Sequence, residues 1–444
     1  MRQKSSDSDE LGRPVRSVAM ILAGGEGTRL SVLSGKRAKP AVPFGGIYRI
    51  IDFTLSNVMH SQIPVVGICT QYKPYSLMDH ISIGEAWGFT RRGQMAKILP
   101  PYKGEVDSDW YAGTADAVHQ NLGFIARYHP DLVLILYGDH VYRMDYRPMI
   151  AFHAEHKASV TVACQEVPFE ETSRFGIVET DKESRIIGFQ EKPKERPRSN
   201  LANLGIYVFD AEALEQQLCS DARDPHSTHD FGRDIFPTMI HSHPCYAHRF
   251  SGYWRDVGTY QSYWQAHMDL LDPHSGLEID RWAVCTAPKS LMSGHSLAPA
   301  LVRHGGHIEH SIVSSGCRIE GTVRHSVLSP GVHVGAGAVV QDSILLHRVR
   351  VGRNCKVFCT IADKQTVMGD ECVVGEPRAM EQHPESPVVT LIGKQVNLPA
   401  RYVVAAGCIV PSGIEPASLP PPPLQPEMAR EIGVAAVGPG AARQ

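Results

Sequence analysis

The stretch VAMILAGGEGTRL, Val18 to Leu30, decides how the first half of the chain is understood. Its first five residues, Val18 to Leu22, are apolar and typical of a buried strand, and a loop of small residues follows directly. Such a loop can point its backbone N–H groups at an anion. It matches neither of two common phosphate-binding motifs. Leu30 stands where the dinucleotide motif needs its third glycine, and the chain has no G-x-x-x-x-G-K-[ST] sequence.

Four positive charges follow this loop within eleven residues, at Arg29, Lys36, Arg37 and Lys39. Taken alone, the segment fits a tight turn before a solvated basic face as well as it fits a phosphate site, because short glycine-rich matches are often accidental. Other parts of the sequence are needed to distinguish the two interpretations.

The composition indicates a globular protein with small ligands. The chain has 444 residues, 43% of them hydrophobic, which predicts two domains rather than one core. A net charge of -3 gives no basic field for nucleic acid or an anionic membrane, and no apolar run has the length of a membrane span. The ten cysteines include no C-x-x-C pair, so we expect reduced thiols, no zinc site and a cytoplasmic location.

Residues 17–271 predict an α/β domain with a mostly parallel, Rossmann-like sheet. Apolar strand candidates, such as Val65 to Thr70, Leu132 to Tyr137 and Val160 to Cys164, alternate there with helix-like segments. Ligands of such sheets bind beyond the carboxyl ends of the strands. The glycine-rich loop and the GDH sequence of Gly138 to His140 are both expected at that edge.

An internal repeat predicts a second domain at residues 301–414, after a linker at 272–300. The segments HSIV, HSVL, DSIL and CTIA begin at His310, His325, Asp342 and Cys359. Apolar residues recur between them at six-residue steps, which is typical of a left-handed parallel β-helix, here of about four rungs. A β-sandwich would explain the apolar content but not the spacing. Residues 1–16 are polar and expected to be flexible, and the Pro/Gly/Ala-rich tail 415–444 is expected to be disordered.

Further motifs, arriving in order up to Thr259, carry a family resemblance. Together with AGGEGTRL and KRAKPAVPFGG they resemble the sugar-nucleotide pyrophosphorylases, and most closely the bacterial ADP-glucose pyrophosphorylase family. These motifs are RIIDFTLSN (Arg49 to Asn57), TQYK (Thr70 to Lys73), WYAGTADAV (Trp110 to Val118), YGDHVYRMDY (Tyr137 to Tyr146), FGIV (Phe175 to Val178), FQEKP (Phe189 to Pro193), GIYVFD (Gly205 to Asp210), HDFGRDIFP (His229 to Pro237) and YWRDVGT (Tyr253 to Thr259).

The resemblance implies an enzyme that performs direct nucleotidyl transfer. A phosphate oxygen of glucose 1-phosphate attacks the α-phosphorus of ATP, giving pyrophosphate and ADP-glucose for glycogen synthesis. The implied cofactor is Mg²⁺, held by Asp139 and Asp256. Taken singly, Asp139 also fits a helix N-cap and Asp256 a surface turn. Arg29 and Lys39 would bind the β- and γ-phosphates, with Arg29, Lys39 and Asp139 as the implied catalytic residues.

The resemblance also implies contacts to both substrates. Those to ATP fall on Ala23, Gly24, Gly25, Gly27, Thr28, Gln71, Tyr111, Gly113 and Thr114. Those to glucose 1-phosphate fall on Gly176, Glu191, Lys192 and Asn203. Tyr111 fits core packing equally well, and Asn203 stands where relatives typically have serine.

Regulation and assembly are implied by the resemblance alone. Lys36, Arg37 and Arg49 resemble effector-phosphate contacts, although Lys36 and Arg37 would also raise the positive potential near the ATP phosphates. A phosphorylated metabolite effector and a homotetramer are therefore expected. Two alternatives stay open: a pyrophosphorylase for another nucleotide sugar, such as GDP-mannose, and a non-catalytic regulatory subunit of the same fold.

Overall fold

The computed structural model describes residues 16–25, 27–101, 110–277, 279, 283–287, 297–377 and 388–436. Most of the predicted flexible N-terminus, Glu26 and the end of the predicted disordered tail lie outside the described residues. The chain divides into two compact units. The first comprises the described parts of 1–25, 53–138 and 142–253, and the second comprises 27–52, 139–141 and the described parts of 254–436.

Thirteen described strands precede the β-helix. They are β1 (Ser17–Leu22), β2 (Pro43–Phe44), β3 (Tyr48–Arg49), β4 (Val65–Cys69), β5 (Met95–Leu99), β6 (Leu132–Tyr137), β7 (His140–Tyr142), β8 (Val160–Glu166), β9 (Gly176–Thr180), β10 (Ile186–Glu191), β11 (Leu201–Asp210), β12 (Cys245–Arg249) and β13 (Trp254–Asp256).

Eight of the described α-helices precede the β-helix, and one follows it. They are α1 (Ile50–His60), α2 (Tyr75–Ile81), α3 (Thr114–His119), α4 (Leu122–Ala126), α5 (Arg147–Glu155), α6 (Ala211–Asp221), α7 (Phe236–Ser242), α8 (Tyr260–Asp269) and α9 (Pro426–Ala436). Shorter 3₁₀ segments lie at Thr28–Leu33, Lys39–Ala41, Glu85–Trp87, Phe169–Arg174 and Pro416–Ser418, and a π-helical turn lies at Phe231–Ile235. Among these helices, none combines the length and apolar content needed to cross a bilayer.

The sheet of the first unit is mixed, and it confirms the predicted fold class. Its order is β10-β9-β11-β6-β1-β4-β5, with β8 beside β11 and β12 beside β8. The strands β5, β4, β1 and β6 run parallel, whereas β11 runs antiparallel to β6 and β8. The central strands β1, β4 and β6 are almost wholly apolar and buried, as expected for parallel strands covered on both faces.

The chain reverses its direction of winding at β1, because β4 lies on one side of it and β6 on the other. Ligands of open α/β sheets bind outside the carboxyl ends of the strands at such a point. Leu22 pairs in register with Tyr137, and the Gly138 N–H donates to the Leu22 carbonyl at 3.0 Å. The segments that follow β1 and β6 therefore start side by side.

The second unit contains the β-helix, which confirms the prediction from the repeat. Its strands are β14 (Leu301–Val302), β15 (His307–Glu309), β16 (Ile312–Val313), β17 (Arg318–Ile319), β18 (Thr322–Arg324), β19 (Val327–Leu328), β20 (His333–Val334), β21 (Val339–Gln341), β22 (Ile344–Leu345), β23 (Arg350–Val351), β24 (Lys356–Phe358), β25 (Thr360–Ala362), β26 (Val367–Met368), β27 (Val373–Val374), β28 (Thr390–Ile392), β29 (Asn397–Leu398), β30 (Val403–Val404) and β31 (Ile409–Val410). They form three parallel sheets with six described strands in each, so the helix has more than the four rungs predicted. The motif count misses the last rungs because residues 375–389 interrupt the spacing.

A ladder of hydroxyl groups explains the repeated sequence. The Ser326 N–H donates to Ser311 Oγ at 3.1 Å, the Ser343 N–H to Ser326 Oγ at 3.1 Å, and the Thr360 N–H to Ser343 Oγ at 3.2 Å. The residue before each hydroxyl has a positive φ, such as 41° at His325. Each corner therefore combines a left-handed residue with a hydroxyl that satisfies the next rung.

The prediction of disorder from residue 415 is wrong for the described part of the tail. Leu424 is fully buried, its N–H donates to the Val403 carbonyl at 2.9 Å, and its own carbonyl accepts from Ala405 at 3.0 Å. Tyr402 Oη donates to the Pro420 carbonyl at 2.7 Å. The apolar residues of this tail cover the last rung of the β-helix, whose edge would otherwise be open.

Candidate active site

The centre of the site in the second unit is a buried lysine between two carboxylates. Lys39 Nζ donates to Asp139 Oδ2 at 2.8 Å and to Asp256 Oδ1 at 2.9 Å. The Lys39 side chain is 6% exposed, whereas Asp139 and Asp256 keep 29% and 21% of their exposure. The two carboxylates thus share one ammonium on their inner side and keep oxygen surface for a ligand.

Short paired strands place these carboxylates. Asp139 immediately precedes β7, Asp256 ends β13, and β7 pairs with β13. Neither aspartate therefore caps a helix or stands in an exposed turn. Gly258 makes room for the second carboxylate, because a Cβ there would lie 2.9 Å from Asp256 Oδ2.

The charges of the cluster hold one another in the ionised state. Burial lowers the pKa of Lys39, but the two aspartates outweigh this and raise it overall. Burial raises the pKa of Asp139, but Lys39 and then His140 lower it overall. Burial likewise opposes ionisation of Asp256, yet Lys39, His140 and Arg29 bring its pKa down to about 2.

His140 belongs to the GDH sequence, but the motif alone gives it no role. Its Nε2 lies 3.5 Å from Asp139 Oδ1 and 4.0 Å from Asp256 Oδ1. Its position directly after Asp139, at the start of β7, is the sequence signal for this role. The imidazole adds a fourth polar group to the cluster of Lys39, Asp139 and Asp256.

Two members of this cluster suit a hard divalent cation. The ligand atoms of Asp139, His140 and Asp256 all lie within 4.8 Å of one another. Carboxylate oxygens are the ligands that Mg²⁺ prefers, whereas an imidazole nitrogen suits transition metals better. The two aspartates therefore fit the magnesium role that the family resemblance implies, with His140 beside them.

The second half of the glycine-rich loop also lies in this unit. Gly27 has φ 67° and begins the 3₁₀ segment that carries Thr28 and the exposed Arg29. A Cβ at Gly27 would approach Lys39 Cβ to 3.0 Å, and Ser34 Oγ donates to the Gly27 carbonyl at 2.7 Å. Gly27 is thus required by a left-handed turn packed against Lys39.

The three predicted effector contacts differ in their exposure. Lys36 is exposed and Arg49 is half-buried in β3. Arg37 is 4% exposed, and its guanidinium donates to the carboxylate of Asp363. Arg37 therefore forms an internal ion pair, and the effector role of Arg37 stays a prediction.

The predicted adenine contacts lie in the first unit, and two of them bind each other. Gln71 Oε1 accepts the Tyr111 N–H at 2.9 Å, and Gln71 Nε2 donates to the Tyr111 carbonyl at 3.4 Å. The Tyr111 ring lies in the core, with its hydroxyl donating to the Leu99 carbonyl at 3.0 Å. Gly24 lies two residues after the end of β1, and a Cβ there would lie 3.3 Å from Gln71 Cβ.

The GTADA segment is held by the HDFG turn. Thr114 Oγ1 donates to Asp230 Oδ2 at 3.0 Å and accepts the Phe231 N–H at 3.0 Å. A Cβ at Gly113 would lie 2.2 Å from the His229 carbonyl oxygen, so only glycine permits this approach. Asp230 is a second residue whose role the motif alone did not reveal.

Two of the predicted sugar contacts face each other across paired strands of the first unit. Glu191 is the register partner of Gly176, and its Oε2 would lie 2.9 Å from a Cβ at that glycine. Lys192 is 54% exposed and lies 3.1 Å from Glu191 Oε1. This is an exposed cation beside a carboxylate, which suits a phosphate ligand.

Asn203 is used within its own strand. Its Oδ1 accepts the Gly205 N–H at 2.9 Å, and its Nδ2 donates to Tyr207 Oη at 2.8 Å. The register of β11 against β8 shifts between Asn203 and Tyr207. Asn203 therefore stabilises a bulge, and its sugar contact stays a prediction.

Comparison with known proteins agrees with this arrangement. The family model described as nucleotidyl transferase matches residues 18–273, and the GlmU-like C-terminal hexapeptide model matches residues 299–386. A glucose-1-phosphate adenylyltransferase of Fervidobacterium nodosum is 42% identical over 414 residues, covering 89% of this chain and 98% of the relative. The enzyme of the same name from Desulforamulus reducens is 45% identical and covers 81% and 89%, and that of Thermotoga maritima is 44% identical and covers 90% and 95%.

The chain belongs to the glucose-1-phosphate adenylyltransferase family of nucleotidyltransferases. This membership confirms the resemblance drawn from the motifs, including the order of the catalytic and hexapeptide regions. Asp139, Asp256 and Lys39 all fall within the nucleotidyl transferase match.

Proposed function

We propose that this protein transfers the adenylyl group of ATP to glucose 1-phosphate, releasing pyrophosphate and forming ADP-glucose for α-glucan synthesis. The observation that carries the proposal is the cluster of Lys39, Asp139 and Asp256, which combines a cation for phosphates with two carboxylates for a metal. A regulatory subunit that binds without turnover could dispense with the two metal-holding carboxylates, and this chain keeps both. Family membership supplies the two substrates.

The chain's own residues account for the chemistry in the proposed reaction. Bound Mg²⁺ would neutralise part of the triphosphate charge and polarise the reacting phosphate. Asp139 and Asp256 would hold it, and Lys39 and Arg29 would bind the β- and γ-phosphates and stabilise the leaving pyrophosphate. No protein nucleophile or general base is needed, because the attacking phosphate is already an anion. Lys192 would pair with that phosphate as a compact charge.

Regulation, assembly and location are further parts of the proposal. Lys36 is exposed and suits a phosphorylated effector, and the family resemblance favours a homotetramer. The ten free cysteines suit the reducing cytoplasm.

The test is pyrophosphate release measured with each of four nucleoside triphosphates and several hexose 1-phosphates. We expect a clear preference for ATP with glucose 1-phosphate. A preference for GTP or UTP would assign the protein to another nucleotide sugar. Nucleotide binding without any pyrophosphate release would favour the regulatory subunit instead.

A further inference from the structure

The Arg37 guanidinium and the Asp363 carboxylate form a buried ion pair within the second unit. Arg37 Nη2 donates to Asp363 Oδ2, and the two side chains are 5% and 0% exposed. Asp363 Oδ1 also accepts the Lys364 N–H at 2.7 Å, and the Asp363 N–H donates to the Ile392 carbonyl at 2.8 Å. The carboxylate is therefore fixed to the rung of the β-helix formed by β25.

Stability alone does not account for this pair. Taking two charges out of water is costly, and replacing a buried pair by apolar residues is often neutral or stabilising. Arg37 Nη1 is also buried, and it has no hydrogen-bond partner among the residues that the structure describes. The cost suggests that the pair is retained for the geometry it imposes.

The pair holds the segment that carries Lys39. Arg37 lies two residues before Lys39, and its N–H donates to the Ser34 carbonyl at 3.2 Å. Ser34 Oγ in turn donates to the Gly27 carbonyl at 2.7 Å. One side chain anchored on Asp363 thus fixes the backbone that positions Lys39 and the Gly27 turn.

Helix α8 provides a second anchor at the other end of the same segment. Tyr263 Oη donates to the Pro43 carbonyl, and His267 Nε2 accepts the Gly45 N–H at 3.1 Å. Trp264 Nε1 donates to the Asp342 carbonyl at 2.8 Å, which ties α8 to a corner of the β-helix. Residues 34–45 are therefore held at both ends by groups tied to the β-helix.

We propose that Arg37 and Asp363 are positioning residues for the triphosphate contacts of Lys39 and the Gly27 turn. The inference rests on the proposed function and deepens it, because one rung of the β-helix would then help to position the residues that bind ATP. Neither side chain touches the reacting atoms. Both act through Lys39.

The experiment compares three variants of the full-length protein. Asp363→Asn keeps the shape of the side chain but removes its charge. The double variant Arg37→Met with Asp363→Leu removes both charges and leaves no buried ion unpaired. The matched control is Arg353→Gln with Asp370→Asn, an ion pair of the same β-helix whose side chains are 73% and 45% exposed.

For Asp363→Asn we expect kcat/KM for ATP to fall on the order of tenfold to a hundredfold, as for other small displacements of a positioned group. The KM for glucose 1-phosphate should change far less. The double variant should regain the wild-type melting temperature but keep the ATP defect. The control pair should match wild type in every measurement.

Two kinetic outcomes would overturn the inference. One is a double variant that recovers the ATP parameters together with its melting temperature. The other is an equal loss for both substrates. Amide hydrogen exchange of residues 34–45 gives a measurement independent of turnover. It should speed up in Asp363→Asn and not in the control, and unchanged exchange would refute the tether. If wild type releases no pyrophosphate, only the proposed function fails.

Discussion

Lys39 Nζ lies 2.8 Å from Asp139 Oδ2, on the inner side of the carboxylate that the family resemblance assigns to magnesium. The same ammonium reaches Asp256 Oδ1 at 2.9 Å. One ammonium therefore offsets part of the charge of both carboxylates before any metal is bound. Binding of a cation and of phosphates requires these charges to exchange partners, which the partly exposed aspartates allow.

Lys39→Met should make the protein depend on divalent cations for its stability. Removing one partner of a buried charged cluster costs about 3–5 kcal/mol, because Asp139 and Asp256 then repel each other. Magnesium should restore much of that loss. We expect the melting temperature of Lys39→Met to rise more steeply than that of wild type across a magnesium titration. Parallel titration curves would contradict the shared-charge arrangement.

Asp139→Asn should abolish most turnover while leaving the fold intact. Loss of a metal-holding carboxylate is expected to lower kcat on the order of a hundredfold or more. Asp145→Asn is the matched control, since Asp145 belongs to the same sequence motif but forms a surface pair with Arg147. The test compares steady-state rates and melting curves of the two variants with those of wild type. An Asp139→Asn enzyme that stays active would refute the metal assignment.

Gly205→Ala should destabilise the first unit strongly. Gly205 has φ 69°, and a Cβ there would lie 1.9 Å from the ring of Tyr137, at the end of β6. We expect a loss of about 2 kcal/mol or more from the clash and the left-handed backbone. Gly123→Ala, with open space around it in α4, should instead be neutral or stabilising. Chemical denaturation of both variants measures the difference.

Ser343→Ala should weaken the β-helix from within. The Ser343 hydroxyl donates to the Gln341 carbonyl at 2.7 Å and accepts the Thr360 N–H at 3.2 Å. Removing it leaves the buried Thr360 N–H without that acceptor, at a cost of about 1–3 kcal/mol, while the Gln341 carbonyl keeps the Cys359 N–H at 3.2 Å. Ser343→Thr keeps the hydroxyl, as Thr360 does one rung later, and should retain most of the stability. Equal denaturation curves for the two variants would show that the ladder contributes nothing.

The sequence predicts much of the fold because its signals are local. Each of these signals reflects what the backbone needs at one place in the chain. Examples are the apolar run of β1, the small residues after it, and the regular spacing of His310, His325, Asp342 and Cys359. The ordered tail could not be predicted this way. Leu424 is buried only because the last rung of the β-helix offers it a surface, and proline content says nothing about that surface.

The candidate site was predictable where a motif places a residue at the end of a strand. Asp139 and the glycine-rich loop follow β6 and β1, so the sheet rule already brings them to one edge. The burial of Arg37 was not predictable, because Asp363 lies 326 residues further along the chain. The two hydrogen bonds between the Gln71 side chain and the Tyr111 backbone were not predictable either, because they join two separate motifs.

His267 should make the second unit sensitive to mild acid. Its Nδ1 hydrogen-bonds to the Tyr263 carbonyl at 2.9 Å, and its Nε2 accepts the Gly45 N–H. The ring is therefore held neutral, with its proton on Nδ1. Complete burial lowers its pKa from 6.5 to about 4, against the smaller effect of the Tyr263 carbonyl.

The direction of the pH effect follows from which state binds the proton first. The unfolded chain takes up a proton near pH 6.5, whereas folded His267 does so only near pH 4. The free energy of unfolding should thus be unaffected by this group above pH 6.5 and fall by about 3 kcal/mol between pH 6.5 and pH 4.

The variant His267→Gln tests this pH effect, because glutamine keeps one hydrogen-bond donor and one acceptor but does not titrate. Denaturation across this range should show a shallower pH slope for that variant, whereas exposed His226→Gln should follow wild type. An unchanged pH slope in His267→Gln would show that another group causes the acid sensitivity. The first candidate would be buried His153, because burial also lowers its pKa to about 4.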